Sequence, residues 1–378
     1  MTYLPFTKPT LDDETIQGVV EVLRSGWLAT GANVQKLEKA LSDYHGGRTV
    51  RTLTSATGGL EVALQVCGIG AGDEVITPAL SFTATPNVIL RVGARPVFVD
   101  VGLETRNIDL KLAEAAITPH TKAIMPVHFA GLPVDMDGLY ALAKRHNLRV
   151  IEDAAHAIGS AWKGRRIGGF GDIVSFSFHP NKNMTTIEGG ALSFAFDDEV
   201  RQFELLRFHG ISRDAEGNMD VSVAGGKYNL SDVAARVGVG QLARLDEFNA
   251  KRRELAGHYF ELLETDPPCL LPARGHPDDL GGHSWHMFAP LLPLDQLTIG
   301  RKQFINAMHA RGIGVGIHYP ALHLFSLYRA LGYREGDFPN AERIGRETVT
   351  LPLFPAMEKA DVERVCAAMR EIFRENRR

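Results

Sequence analysis

Residues 152–191 read EDAAHAIGSAWKGRRIGGFGDIVSFSFHPNKNMTTIEGGA, and this stretch decides the fold. Arg149-Val150-Ile151 just before it is an apolar run of the kind a buried strand needs, and Asp153 stands at its end. A second run, Asp172-Ile173-Val174-Ser175-Phe176-Ser177-Phe178, closes on a short polar loop that carries one lysine, Lys182. A third, Gly189-Gly190-Ala191-Leu192-Ser193-Phe194, follows at once.

An acid at one strand end and a lysine in the turn after another suit pyridoxal phosphate (PLP). The lysine condenses with the cofactor's aldehyde, and the acid keeps the pyridine nitrogen protonated. The polar loop that carries Lys182 lies between two apolar runs, which argues against a plain surface lysine. Asp153 could otherwise cap a helix; Lys182 supplies the partner that favours the cofactor reading.

Outward from this stretch, strand-like runs at Glu74–Pro78, Pro96–Asp100, Lys122–His128 and Arg149–Glu152 alternate with helical stretches such as Asp137–Asn147. The rhythm predicts an α/β fold with a large, mostly parallel sheet covered on both faces. Functional groups then belong at the carboxyl ends of the strands. Thr54-Ser55-Ala56-Thr57-Gly58-Gly59 opens a helical pattern; taken alone it reads as a plain N-cap by Ser55 or Thr57, and with Asp153 and Lys182 downstream the free N–H groups of Ala56 and Thr57 and the helix dipole form a candidate phosphate cup. Gly68-Ile69-Gly70-Ala71-Gly72 follows a helix and precedes a strand, the reverse of a dinucleotide loop, and reads as a helix stop.

Residues 11–45 read as two helical pieces broken at Ser25-Gly26-Trp27-Leu28-Ala29-Thr30-Gly31, either a loop that closes over a ligand or a plain connection. Residues 209–230 are long, glycine-bearing and weakly periodic, and 231–264 read as one strong helix. Asp266-Pro267-Pro268 marks a boundary between a large unit, 1–265, and a smaller α+β unit, 266–378, with strands at Trp285–Leu292 and Gly314–Tyr319 and helices near 301–311 and 360–375.

A formal net charge of −4 argues against nucleic-acid binding. Three widely spaced cysteines read as reduced core thiols, and the 14 histidines show no metal-ligand spacing. Met1-Thr2-Tyr3-Leu4-Pro5-Phe6 is not the start of a signal peptide, and no apolar stretch is long enough to cross a bilayer, so the cytoplasm is the expected location.

Glu152-Asp153-Ala154-Ala155-His156-Ala157, Ser177-Phe178-His179-Pro180-Asn181-Lys182-Asn183 and Glu188-Gly189-Gly190 resemble the signature of the nucleotide-sugar aminotransferases, the DegT/DnrJ/StrS family. The resemblance runs from Ser25-Gly26-Trp27-Leu28 to Leu351-Pro352-Leu353-Phe354-Pro355, and within the family it is nearest to the enzymes making UDP-4-amino-4-deoxy-L-arabinose. It implies the PLP-dependent aspartate-aminotransferase-like fold (fold type I). It also implies amino transfer from L-glutamate to a nucleotide-linked keto sugar, a 4-keto sugar by the nearest likeness. It places His156 beside the cofactor ring and stacks Phe82 on the pyridine. Ser177 joins Ala56 and Thr57 at the phosphate. Asn229 comes from the neighbouring subunit of a homodimer with shared sites. By residue type alone, His156 could equally pack on a helix face, Phe82 in a core and Asn229 in a turn. Trp27, Thr30, His318 and Tyr319 are candidate substrate contacts, as is His283-Ser284-Trp285-His286. Rival readings are a 3-keto-sugar or keto-inositol transaminase, a sugar dehydratase, which would lack the lysine, and a non-enzymatic PLP- or sugar-binding regulator.

Overall fold

The computed structural model describes residues 2–279 and 281–378. Met1, the first residue of the stretch weighed as a signal peptide, lies outside them.

Two helices come first, α1 (Asp13–Ser25) and α2 (Ala32–Tyr44), separated where expected. Then strands and helices alternate: β1 (Val50–Leu53), α3 (Ala56–Val66), β2 (Glu74–Pro78), α4 (Ala84–Arg91), β3 (Arg95–Val99), α5 (Leu110–Ala115), β4 (Thr121–Ile124), α6 (Met136–His146) and β5 (Arg149–Asp153). A small hairpin, β6 (Ala161–Trp162) and β7 (Arg165–Arg166), leads to β8 (Ile173–Ser177) and β9 (Gly190–Ser193). Seven strands form one sheet in the order β1-β9-β8-β5-β4-β2-β3. β9 alone runs against its neighbours; the pairs β2–β3, β2–β4, β4–β5 and β5–β8 are parallel. Strands buried on both faces explain the unbroken apolar runs: Val150, Ile151, Ile173 and Val174 are at most 1 % exposed.

Pairing puts the ends of β1, β5 and β8 and the start of β9 on one edge: Leu53 and Ser177 both face Gly190, and Asp153 faces Ser175. α3 starts against that edge. A Cβ on Gly190 would lie 2.6 Å from Ala56 N and 2.7 Å from Phe176 O, so a residue without a side chain is required there.

After α7 (Asp197–Arg207), the segment read as an irregular loop contains a hairpin, β10 (Ile211–Arg213) with β11 (Met219–Val221). Periodicity misses it because Ile211, Met219 and Val221 are all exposed, which removes the alternation of a half-buried strand. The single helix expected over 231–264 is two, α8 (Asp232–Ala243) and α9 (Leu245–Leu263), broken at Arg244 with φ −108° and ψ 3°. No glycine or proline marks the break, and the apolar pattern runs through it.

The C-terminal segment carries α10 (Arg301–Ala310), α11 (Ser326–Arg329), α12 (Pro339–Glu347) and α13 (Lys359–Asn376). The runs 285–292 and 314–319, expected as strands, form no ladder; single bridges such as Phe288–Leu351, Leu291–Thr348 and Gly316–Thr350 join extended chain. Their apolar side chains pack with Leu255, Tyr259, Phe260 and Leu263 of α9 and with α13 in one cluster, separate from the two that flank the sheet.

Candidate active site

A pocket of about 240 Å3 opens at the carboxyl edge of the sheet, lined by Ala56, Thr57, Phe82, Asp153, His156, Ser177, Lys182, His318 and Tyr319 among others. Nine of the candidate residues are therefore together.

Lys182 follows β8 in a loop pinned on both sides. Its own N–H donates to His179 O at 2.9 Å, and Thr186 N–H to Phe178 O at 3.0 Å. The next residue, Asn183, donates its amide to Asn249 Oδ1 at 2.7 Å and Ser284 O at 3.0 Å. Burial pushes the Lys182 ammonium down to about 8, while the carboxylate of Asp153 pulls the other way. Near neutral pH most of the side chain is still ammonium, with a minor fraction present as free amine that is far larger than at the ordinary lysine value.

Asp153 ends β5 and is buried. Its main chain is fixed by Asp153 N–H to Pro126 O at 2.9 Å and His128 N–H to Asp153 O at 3.1 Å. Thr85 Oγ1 donates to Oδ2 at 2.8 Å, and Ala155 N–H donates to Oδ1 at 3.1 Å. Burial raises the Asp153 carboxyl above its ordinary range; the donors from Thr85 and Ala155 and the charge of Lys182 oppose that.

At the other end, Ser55 caps α3, its hydroxyl accepting from Gly58 N at 3.1 Å. Gly59 N–H donates to Ser55 O at 3.0 Å. Ala56 and Thr57, the first two helical residues, have no carbonyl one turn back inside the helix and point the positive end of its dipole at the pocket. Ser177 closes this end.

His156 accepts from Ala130 N–H through Nδ1 at 3.3 Å, so Nε2 carries the proton and faces the Tyr319 hydroxyl at 3.3 Å. Burial and the charge of Lys182 hold the ring well below the ordinary histidine range, as a neutral imidazole. It is stacked between His286, centroids 4.5 Å apart, and Tyr319, at 6.2 Å. His318 stacks on Phe6 at 5.2 Å and hydrogen-bonds Thr350 Oγ1 through Nδ1 at 2.9 Å; burial pushes it down to about 4. Phe82 is 55 % exposed and tilts 5.8 Å from Tyr319, a ring left without a stacking partner at the pocket.

Three expected residues are elsewhere. Trp27, Thr30 and Asn229 form their own cluster: Trp27 Nε1 donates to Thr30 O at 3.1 Å, Asn229 Nδ2 to Thr30 Oγ1 at 2.7 Å, and Lys227 Nζ to Asn229 Oδ1. Trp27 and Thr30 face an open cleft between α1, α2 and α8, not the Lys182 pocket of the same chain. Of the His283-Ser284-Trp285-His286 run, His286 backs His156, while His283 is buried against Trp285 at 3.8 Å. Thr85 was missed, although Ser81 and Thr85 sit four residues apart across the start of α4, the spacing that puts two side chains on one helix face. Among the described residues no cluster of side chains could hold a metal ion.

The pocket offers an amine that can condense with an aldehyde, a buried carboxylate for a ring nitrogen and an anion-binding helix start, with an exposed aromatic ring beside them. These are the groups that PLP requires, and the residues present fit it. The sequence profile of the DegT/DnrJ/EryC1/StrS aminotransferases matches residues 9–370. The chain belongs to this family. It is a PLP-dependent aminotransferase of fold type I, and among these a sugar aminotransferase. A protein of uncharacterised function from Methanocaldococcus jannaschii, MJ1066, is 40% identical, with 100% of this chain and 99% of the relative covered. The PLP form of Spr1654 from Streptococcus pneumoniae, assigned as a sugar aminotransferase, superposes with a TM-score of 0.91 at 32% identity, covering 99% of each chain. PseC of Helicobacter pylori, an aminotransferase of pseudoaminic acid biosynthesis, gives 0.92 at 28% identity, covering 99% of this chain and 100% of its own. No helix among the described residues is long and apolar enough to cross a membrane.

Proposed function

We propose that this aminotransferase moves an amino group from L-glutamate to a nucleotide-linked keto sugar, a 4-keto sugar of the UDP-4-keto-pentose kind. The products are the amino sugar and 2-oxoglutarate. The observation that carries the reading is the convergence of Lys182, Asp153 and the start of α3 on one pocket beside a neutral His156. PLP, when bound, supplies an aldehyde that condenses with amines and a ring that takes up the electron pair left when a proton departs the amine-bearing carbon.

In this reading Lys182 Nζ anchors the cofactor and then takes and returns the proton at that carbon, a role suited to an amine pushed down to about 8. Asp153 holds the pyridine nitrogen protonated. Ala56, Thr57 and Ser177 hold the phosphate, and Phe82 stacks on the ring. His156, its Nε2 proton turned to the pocket, bonds the ring's phenolic oxygen. His318 and Tyr319 line the sugar's side of the pocket. The large unit, 1–265, would bind the cofactor and the smaller one, 266–378, contribute His318 and Tyr319.

The remaining candidates fit a twofold dimer. Asn229, Thr30 and Trp27 do not line their own chain's pocket, Trp27 is 66 % exposed, and the β10–β11 hairpin, which precedes Asn229 in the chain, exposes Met219 and Val221. A partner subunit would cover these side chains and receive Asn229 at its phosphate and Trp27 and Thr30 at its sugar. The cytoplasm, where nucleotide sugars are made, is the proposed location.

The test is to load purified protein with PLP, supply L-glutamate and a panel of nucleotide-linked 3- and 4-keto sugars, and identify the amino sugar by mass spectrometry. Amination confined to 3-keto sugars, to keto-inositols or to free keto acids would overturn the substrate assignment.

A further inference from the structure

Arg106 lies outside the Lys182 pocket, in the loop after β3, and is 2 % exposed. Its backbone is in the left-handed region, φ +59°, held by Arg106 N–H to Gly102 O at 2.7 Å. Nε and Nη2 of its guanidinium are buried and reach no acceptor among the described residues. No carboxylate compensates the charge: burial alone pulls the guanidinium down to about 10. At that value it is still a cation at neutral pH, and a cation taken out of water without a partner is among the most unfavourable arrangements a folded chain can hold.

Beside it is a cavity of about 10 Å3 whose walls include Thr105, Phe129, Ala130, Leu132, His283 and Met287. That is room for one water molecule or one monatomic ion, and for nothing larger. The other polar groups there are engaged. Thr105 Oγ1 accepts from Asn107 N–H at 3.4 Å, and His283 Nδ1 from Trp285 N–H at 3.0 Å. Burial pushes His283 down to about 3, so it adds no charge of its own. Glu104, the one carboxylate on the rim, is an exposed residue and forms no ion pair with Arg106.

We propose that Arg106 binds one small monovalent anion, of about the size of chloride, in this cavity. Such an ion gives Nε and Nη2 the acceptor they lack and neutralises the guanidinium. A water molecule would fill the volume without answering the charge, and a polyatomic anion such as phosphate is too large for it. The site is separate from the cofactor's phosphate cup, and it lies behind the turn at Phe129–Gly131 whose Ala130 N–H bonds His156.

Crystals of the PLP-loaded protein grown with sodium bromide test this directly. An anomalous bromide peak within hydrogen-bonding distance of Arg106 is expected, and its loss in Arg106→Met. In solution, replacing gluconate by chloride at constant ionic strength should raise the melting temperature of the wild type and leave the variant unmoved. If the methionine variant does not fold, Arg106→Gln keeps the hydrogen-bonding capacity without the charge. A crystal that shows bromide at other sites but water at Arg106 would overturn the proposal. So would one with the Glu104 carboxylate turned inward to pair with Arg106, or an equal chloride response in wild type and variant.

Discussion

Thr85 donates its hydroxyl hydrogen to Asp153 Oδ2 across 2.8 Å, and Ser81 Oγ stands 2.8 Å behind it. Since the proton of Thr85 is committed to the carboxylate, Ser81 is the donor to Thr85, and the two hydroxyls form a short relay that ends on Asp153. The relay opposes the burial that raises the Asp153 carboxyl. A hydrogen bond to a charged group contributes about 1.5–3 kcal/mol, and each 1.4 kcal/mol is about a factor of ten in rate or equilibrium. Thr85→Val should therefore slow amino transfer from glutamate by about ten- to a hundred-fold, while Thr85→Ser restores most of it. Stopped-flow absorbance of the bound cofactor after mixing with glutamate measures both. Equal rates in Thr85→Val and wild type would mean that the relay does not tune Asp153.

Asp153→Asn keeps the shape and removes the charge. PLP should still become attached to the protein, because Lys182 is untouched, but the half-reaction with glutamate should slow by orders of magnitude. The same stopped-flow trace decides it: a normal rate would exclude Asp153 as the partner of the pyridine nitrogen.

Lys182 carries a pH signature. Its folded value of about 8 lies below the ordinary lysine value of 10.5; burial lowers it and the charge of Asp153 opposes that. The uptake of PLP by cofactor-free protein should accelerate as pH rises through about 8, and Lys182→Ala should neither attach PLP covalently nor transaminate. The sign for stability follows from proton binding: between about 8 and 10.5 the folded chain holds fewer protons at this site than the unfolded chain. The depressed amine therefore costs stability in full below about 8, and the cost fades as pH rises toward 10.5. Cofactor-free Lys182→Met should melt above wild type at pH 7, with an advantage that shrinks across that window. Thermal melts at several pH values measure it; an advantage that grew with pH would contradict the burial of the amine.

Most of the site was legible because it is built from the ends of strands. Asp153, Ser177 and the turn holding Lys182 each follow an apolar run long enough to identify as a buried strand, and parallel pairing brings such ends to one edge. Other features leave little trace in the order of residues. Thr85 is one of many hydroxyls until the sheet brings it to Asp153. The break at Arg244 has no helix-breaking residue, since Leu242, Leu245 and Phe248 continue the buried pattern across it. The C-terminal runs are as apolar as strands, yet they gain their backbone partners one bridge at a time. The β10–β11 hairpin is hidden by its own exposed apolar side chains, and a face that a second chain would bury cannot show in one chain the alternation by which strands are recognised.

That exposed face bears on Asn229. Within one chain its amide is spent on Thr30 Oγ1 at 2.7 Å, and Asn229 is not among the residues that line the Lys182 pocket. If it serves a partner's phosphate, Asn229→Ala should weaken PLP retention by about 1.5–3 kcal/mol, the contribution of a hydrogen bond to a charged group, measurable by dialysis against a PLP trap. That loss alone does not say which subunit is served; mixing does. Lys182→Ala and Asn229→Ala homodimers, each impaired, are unfolded and refolded together. If Asn229 acts across the interface, the heterodimer has one site with both defects and one with neither, and activity rises above that of either parent. If it acts within its own chain, every heterodimer site carries one defect and no recovery appears. A protein that sediments as an active monomer would exclude the shared site altogether.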